Sequence, residues 1–163
     1  MNREILFRGK RVDNEMWIYG DLLQSTDIVN CTEISENTGM GVRYDIIPET
    51  VGQYTGLTDK NGTKIFEGDI LQYQTSNGFD CQSIVKFGIY NQDGSGGEYN
   101  CIKVLGFYVE VNNFTCPDWC ENSPEKFPEY LYQQNINEVC EILEVIGNIY
   151  DNPELLKERD TNV

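Results

Sequence analysis

Residues 51–73 read VGQYTGLTDKNGTKIFEGDILQY, and this stretch decides the fold class. Val51, Tyr54, Thr55, Ile65 and Phe66 are β-branched or aromatic residues suited to a half-buried pleated surface. Between the two runs stands Asp59-Lys60-Asn61-Gly62, and Asn-Gly tolerates the positive φ of a tight turn. The stretch therefore predicts a hairpin whose second strand enters a further one through Glu67-Gly68-Asp69. In that last strand Leu71 and Tyr73 share one face, with Ile70 and Gln72 on the other. Gly52 and Gly56 interrupt the first run, as glycines do at bulges and barrel bends. The expected fold is mainly β, or β-rich α+β: a curved antiparallel sheet or a small SH3-like barrel, which would remove exposed edges.

The flanking sequence extends the pattern. Ile5, Phe7 and Gly9 alternate against Leu6, Arg8 and Lys10, and Met16 to Leu23 form a second run, so residues 4–23 predict another hairpin. Residues 24–41 read as a loop anchored by Cys31 and Ile34, and Val42 to Ile47 as a short strand closed by Pro48. Ser83, Val85, Phe87 and Ile89 alternate as a strand, and Ile102 to Val111 make a bent strand or a pair with Gly106 at the bend. Residues 112–137 combine Pro117, Pro124 and Pro128 with many aromatics, which predicts a structured excursion without long regular elements. Val139, Ile142, Leu143 and Ile146 recur at helical spacing, but Leu143, Val145, Gly147 and Ile149 alternate, and 142–150 is read as a strand preceded by a helical turn at 135–140. Asp151 or Asn152 can cap, and Pro153 suits a first helical position, so a short C-terminal helix is expected over 153–159. The whole of 1–163 is read as a single domain carrying the 112–137 excursion.

A formal charge of −15 sits unevenly, with 7 basic and 12 acidic side chains in residues 1–70 and 5 and 15 in the remainder. Phosphate neutralisation needs clustered Lys and Arg, so direct nucleic-acid binding is not expected. No run approaches the roughly 18 apolar residues of a membrane span. The start of the chain leads straight into strand-like sequence without an apolar leader, and a cytoplasmic protein with reduced thiols is expected.

Chemistry can then be weighed residue by residue. The chain holds no histidine, which removes Ser-His-Asp and Cys-His catalysis and histidine-ligated metal sites. Cys116-Pro-Asp-Trp-Cys120 has three residues between its cysteines and is not the redox C-x-x-C pattern. Asn91 to Glu98 resembles a calcium loop at its third, fifth and sixth positions. It lacks the leading carboxylate, and Ile102 falls where the bidentate Glu belongs. Phosphate-cradling glycine motifs are missing. No cofactor, metal or catalytic residue is assigned.

The stretch from Val51 to Gly62, continued by Ile65-Phe-Glu-Gly-Asp-Ile70, resembles the YopX family of phage and prophage proteins. Arg3-Glu-Ile-Leu-Phe-Arg-Gly-Lys10 and Glu144-Val-Ile-Gly-Asn-Ile-Tyr-Asp-Asn-Pro-Glu-Leu-Leu156 carry the same resemblance at the two ends. It implies a small, mainly β protein encoded by a phage or prophage and acting inside the bacterial host. The family is one of unknown function, so it implies no activity and no site residues.

Three roles follow, in order of preference. The first is a non-enzymatic protein-interaction module, expected to self-associate, with an unknown host or phage partner. Its candidate surface is Phe114, Trp119, Phe127, Tyr130 and Tyr132. The second is an acidic nucleic-acid mimic that occupies a DNA-binding protein, through Glu138, Glu141, Glu144, Glu154 and Glu158. The third is a carboxylate-based hydrolase, for which no spacing singles out a pair of acids.

Overall fold

Asp59 shows how the turn residues organise the chain. The computed structural model describes residues 4–24, 32–35, 42–75, 78–93, 101–115, 133–136 and 142–156. These divide into two compact units, residues 1–56 and 57–163.

In the first unit, β1 (Phe7–Lys10) pairs antiparallel with β2 (Trp17–Gln24), as the 4–23 hairpin predicts. β3 (Thr32–Ser35) and β4 (Arg43–Asp45) follow beyond β2, and β5 (Gly52–Thr58) lies on the other side of β1. The stretch expected to be a loop over 24–41 thus contains a strand. Its pleat buries Ile34 completely beside Ile18 and Ile46, with Phe7, Leu22, Tyr44 and Val51 packed around them. On the other side of β1, Trp17 takes the Arg8 guanidinium at 4.8 Å and the Lys10 ammonium at 5.6 Å against its ring. Pro48–Thr50 wind into one 3-10 turn, and the Thr50 hydroxyl accepts the Lys10 N–H at 2.8 Å.

The second unit begins at the end of β5. β6 (Lys64–Phe66) and β7 (Asp69–Gln74) occupy the positions that the sequence predicts. β8 (Asp80–Asp93) and β9 (Cys101–Thr115) form a long antiparallel ribbon, β10 (Gln133–Asn135) lies beside β9, and β11 (Glu144–Asn148) beside β7. Ile65, Leu71, Tyr73, Phe79, Cys81, Val85, Val109, Ile136 and Leu143 share the core.

The fold is therefore mainly β, and all strand pairs are antiparallel. No barrel closes. The strand orders are β4-β3-β2-β1-β5-β6 and β10-β9-β8-β7-β11, and the end of β4 turns back to β1, where Val12 N–H donates to the Asp45 carbonyl and Ile46 bridges Arg11. Gly52 and Gly56, read as marks of curvature, both lie within β5, Gly56 at a φ of 90°, whereas Gly62 and Gly68 sit at turns with φ of 84° and 82°. Gly68 redirects the chain. Its N–H donates to the Val85 carbonyl and its own carbonyl accepts from Ile149, while the buried Asp69 carboxylate accepts the Phe66 N–H at 2.7 Å.

The C-terminal helix is also corrected. Pro153–Leu156 form a single 3-10 turn closed by Leu155 N–H donating to the Asn152 carbonyl, and 157–159 lie outside the described residues. The expected capping residues are used differently. Asn152 Oδ1 accepts the Asn148 N–H, and Asn148 Oδ1 accepts from both Tyr150 and Asp151, winding the chain tightly just before the proline.

Asp59 closes the circuit of the second unit. Its carboxylate accepts the N–H groups of Asn61 and Thr63 within its own turn, each at 2.8 Å. It also accepts that of Val145, 86 positions later, at 3.0 Å. Lys60 N–H donates to the Leu143 carbonyl alongside. Burial pushes the Asp59 carboxyl upward, but the Val145, Thr63 and Asn61 donors outweigh it and hold the group below its usual value.

Two outcomes test this. Asp59→Asn is expected to lower stability by about 2 kcal/mol at neutral pH. A folded-state value below the unfolded one gives stability that is present above about pH 4 and lost as pH falls through the folded value. Urea midpoints of the two proteins should converge under acid and separate at pH 7. Second, a Cβ on Gly20 would lie 1.9 Å from the Ser35 carbonyl oxygen, whereas one on Gly106 meets nothing within 4 Å. Gly20→Ala should cost about 1–3 kcal/mol, and Gly106→Ala should be neutral or stabilising by about 0.5 kcal/mol.

Candidate functional site

Every residue of β8 from Ser83 to Asp93 faces one residue of β9, so side chains on this ribbon keep strict alternation. Its flanking strands are shorter. β7 reaches β8 only as far as the Ile70–Ile84 pair, and β10 reaches β9 only as far as Asn135–Tyr108. Among the described residues, the distal ribbon beyond the Lys86–Tyr108 pair has no further strand on either side.

On one face the Val85–Val109 pair is buried in the core. Continuing outward on that face come Phe87 opposite Phe107 and Ile89 opposite Leu105. The two phenylalanine rings meet edge to face at 5.0 Å, and Phe107 still packs against the core. Phe87 is 50% exposed, Ile89 69% and Leu105 67%. The apolar face of the core thus runs on into solvent.

The reverse face of the same ribbon is closed. Tyr90 and Tyr108 are buried there and stack at 5.0 Å, across the Gly88–Gly106 pair. Lys86 and Glu110 form an ion pair beside them.

The aromatic residues predicted from the sequence fare differently. Phe114 lies in β9, packs against the core and meets Phe79 edge on at 6.4 Å. Trp119, Phe127, Tyr130 and Tyr132 lie outside the described residues, as do Cys116 and Cys120. Of the acidic candidates, Glu144 pairs with Lys60 at 2.6 Å and Glu154 accepts from the Asn152 amide at 3.3 Å. Glu138, Glu141 and Glu158 lie outside the described residues, and so do residues 94–98 of the calcium-like stretch. Its first three residues, Asn91 to Asp93, are strand, paired with Lys103 to Cys101. The described residues contain no cluster of three or more Cys, Asp or Glu arranged to hold a metal, and no helix among them is long and apolar enough to cross a membrane.

Sequence reading missed Phe87, Ile89 and Leu105 as a surface. Their alternation is identical to that of a core strand. What distinguishes them is where β7 and β10 stop, and no local signal states that.

Cys81 is a free thiol buried in the core of the second unit. It is fully buried, its thiol donates to the Phe79 carbonyl at 3.8 Å, and burial pushes it up to about 11. Burial likewise raises the neighbouring Tyr73 to about 12. A thiol so protected is inert at neutral pH. Mass spectrometry after iodoacetamide at pH 7.5 should find Cys81 unmodified in the native protein and alkylated in urea. Rapid native labelling would contradict the buried placement.

A family model described as YopX protein matches residues 6–157. A solved structure entitled "Crystal structure of protein EF1440 from Enterococcus faecalis" is similar at 22% identity and a TM-score of 0.46, over 96% of this chain and 100% of that one. The comparison with curated proteins found no match.

Proposed function

The chain belongs to the YopX protein family, and on that premise we propose that it is a non-enzymatic protein-interaction module, carried by a phage or prophage and acting in the bacterial cytoplasm on another protein. The observation that supports this reading is the open apolar face of Phe87, Ile89 and Leu105 on an otherwise strongly acidic molecule. The largest contiguous apolar patch on a monomer is often functional.

The size of the patch argues against a second copy of the chain as its occupant. From the exposures of its three residues, the patch offers on the order of 300–400 Å². A stable dimer buries roughly 800 Å² on each partner. Two copies at −15 would also repel one another. A small apolar segment of a different, basic protein fits both constraints.

The test replaces Ile89 with a photo-crosslinking residue in a bacterial host, with Tyr19, on the other unit, as the control position. A discrete adduct should form from position 89 alone. The captured protein, purified, should bind the unmodified chain, and Ile89→Asp with Leu105→Asp should weaken that binding at least tenfold. Light scattering should report a monomer. A stable homodimer lost in the double variant, or binding indifferent to it, would overturn the reading.

A further inference from the structure

The side chains that leave the distal ribbon open belong to the same residues whose backbone forms an open edge. In an antiparallel ladder, the N–H and C=O of one residue point together to one side, and those of residues two apart point the same way. The Val85 carbonyl accepts from Gly68, away from β9. With the register unbroken to Asp93, the backbone groups of Phe87 and Ile89 point outward from β9 as well. β7, which occupies this edge of β8 nearer the core, ends before reaching them. Among the described residues no strand pairs with this edge, so Phe87 and Ile89 present two N–H donors, two C=O acceptors and two exposed apolar side chains along it.

Such an edge is an invitation to strand pairing, and proteins blunt it unless it is used. Here the edge residues are Phe and Ile, not charges or proline, and solubility rests on the overall charge of −15. That charge sets the sign of any strand that can approach. From these observations, resting on the docking reading above, we infer that the partner adds an extended segment to the edge of β8. It lies antiparallel to Phe87–Ile89, placing alternate apolar residues on the Phe87–Ile89–Leu105 side and basic residues on the other. The segment would continue the order β10-β9-β8 past the point where β7 stops. Main-chain bonds would supply affinity, and the apolar face would fix the register.

This occupant makes a prediction that face-to-face docking does not. In an antiparallel pair, the incoming apolar residues opposite Phe87 and Ile89 turn their own N–H groups toward β8, and the intervening basic residues turn theirs away. The probe is a peptide of about seven residues alternating Ile and Lys, the length of an ordinary strand. It is compared with versions N-methylated at the Ile positions or at the Lys positions, and with an Ile–Glu peptide.

Fluorescence anisotropy with the full chain should give saturable binding of the Ile–Lys peptide. Methylation at Ile should weaken it at least tenfold, and methylation at Lys by less than threefold. The Ile–Glu peptide should not bind. Amide shifts in NMR spectra should map to residues 86–90. Absence of saturable binding, or equal affinity of the two methylated peptides, would overturn strand addition, and equal binding of the Ile–Glu peptide would overturn the basic partner. If the methylated peptides bind alike but Ile89→Asp abolishes binding, the face docks its ligand without an added strand and the interaction-module reading stands. If Ile89→Asp leaves peptide binding intact, that reading fails too.

Discussion

The second unit depends on one buried carboxylate. A charged oxygen removed from water is tolerable only where donors replace that water, and Asp59 finds three backbone N–H groups. Two of them shape the Asp59–Thr63 turn, which a glycine at Gly62 makes possible. The third belongs to Val145, in the strand that closes the sheet beside β7. Local turn geometry and long-range strand placement are thus enforced by the same side chain. Lys60, next in sequence, adds both a main-chain bond to Leu143 and an ion pair to Glu144. The exposed ion pair contributes little; the buried carboxylate sets the register.

Around that point, the sequence was informative where a residue acts through its own backbone. Asn61-Gly62 and Glu67-Gly68-Asp69 announce turns because few other residues accept those dihedrals. The strands 52–58, 64–66 and 69–74 follow from alternation between them. The hairpin at the start of the chain was equally clear, while the strand before Asp151 competed with a helical spacing of Val139, Ile142, Leu143 and Ile146. A sequence is less informative where the outcome turns on a distant neighbour. Thr32–Ser35 looks too polar for a strand, yet it pairs on both sides, with Leu22 opposite one flank of Ile34 and Tyr44 opposite the other. Pro153 and its capping residues resemble a helix start. The claims of Asn148 and Asn152 on the preceding backbone leave a single 3-10 turn.

The candidate site was hidden for a related reason. Burial of a strand residue depends on whether something lies across it. Val85 and Phe87 have the same chemistry and the same orientation, two positions apart, and one is sealed in the core while the other is half open. The aromatic residues that drew attention from composition include Phe114, which the core claims. Aromatic content locates hydrophobic area but not the side on which it faces water.

An open edge and an open apolar face are each ordinary on a soluble protein, and their coincidence on Phe87 and Ile89 is what gives the ribbon chemical meaning. Apolar contact alone is non-directional and would hold many partners loosely. Backbone pairing alone is indifferent to side chains and would invite the chain's own copies. Combined, they require a segment that is extended and apolar at every second residue, and the charge of −15 further requires that it not be acidic. The acidity that sequence reading could assign either to solubility or to mimicry takes a third role here. In the proposed docking it would filter what reaches an edge that otherwise pairs without discrimination.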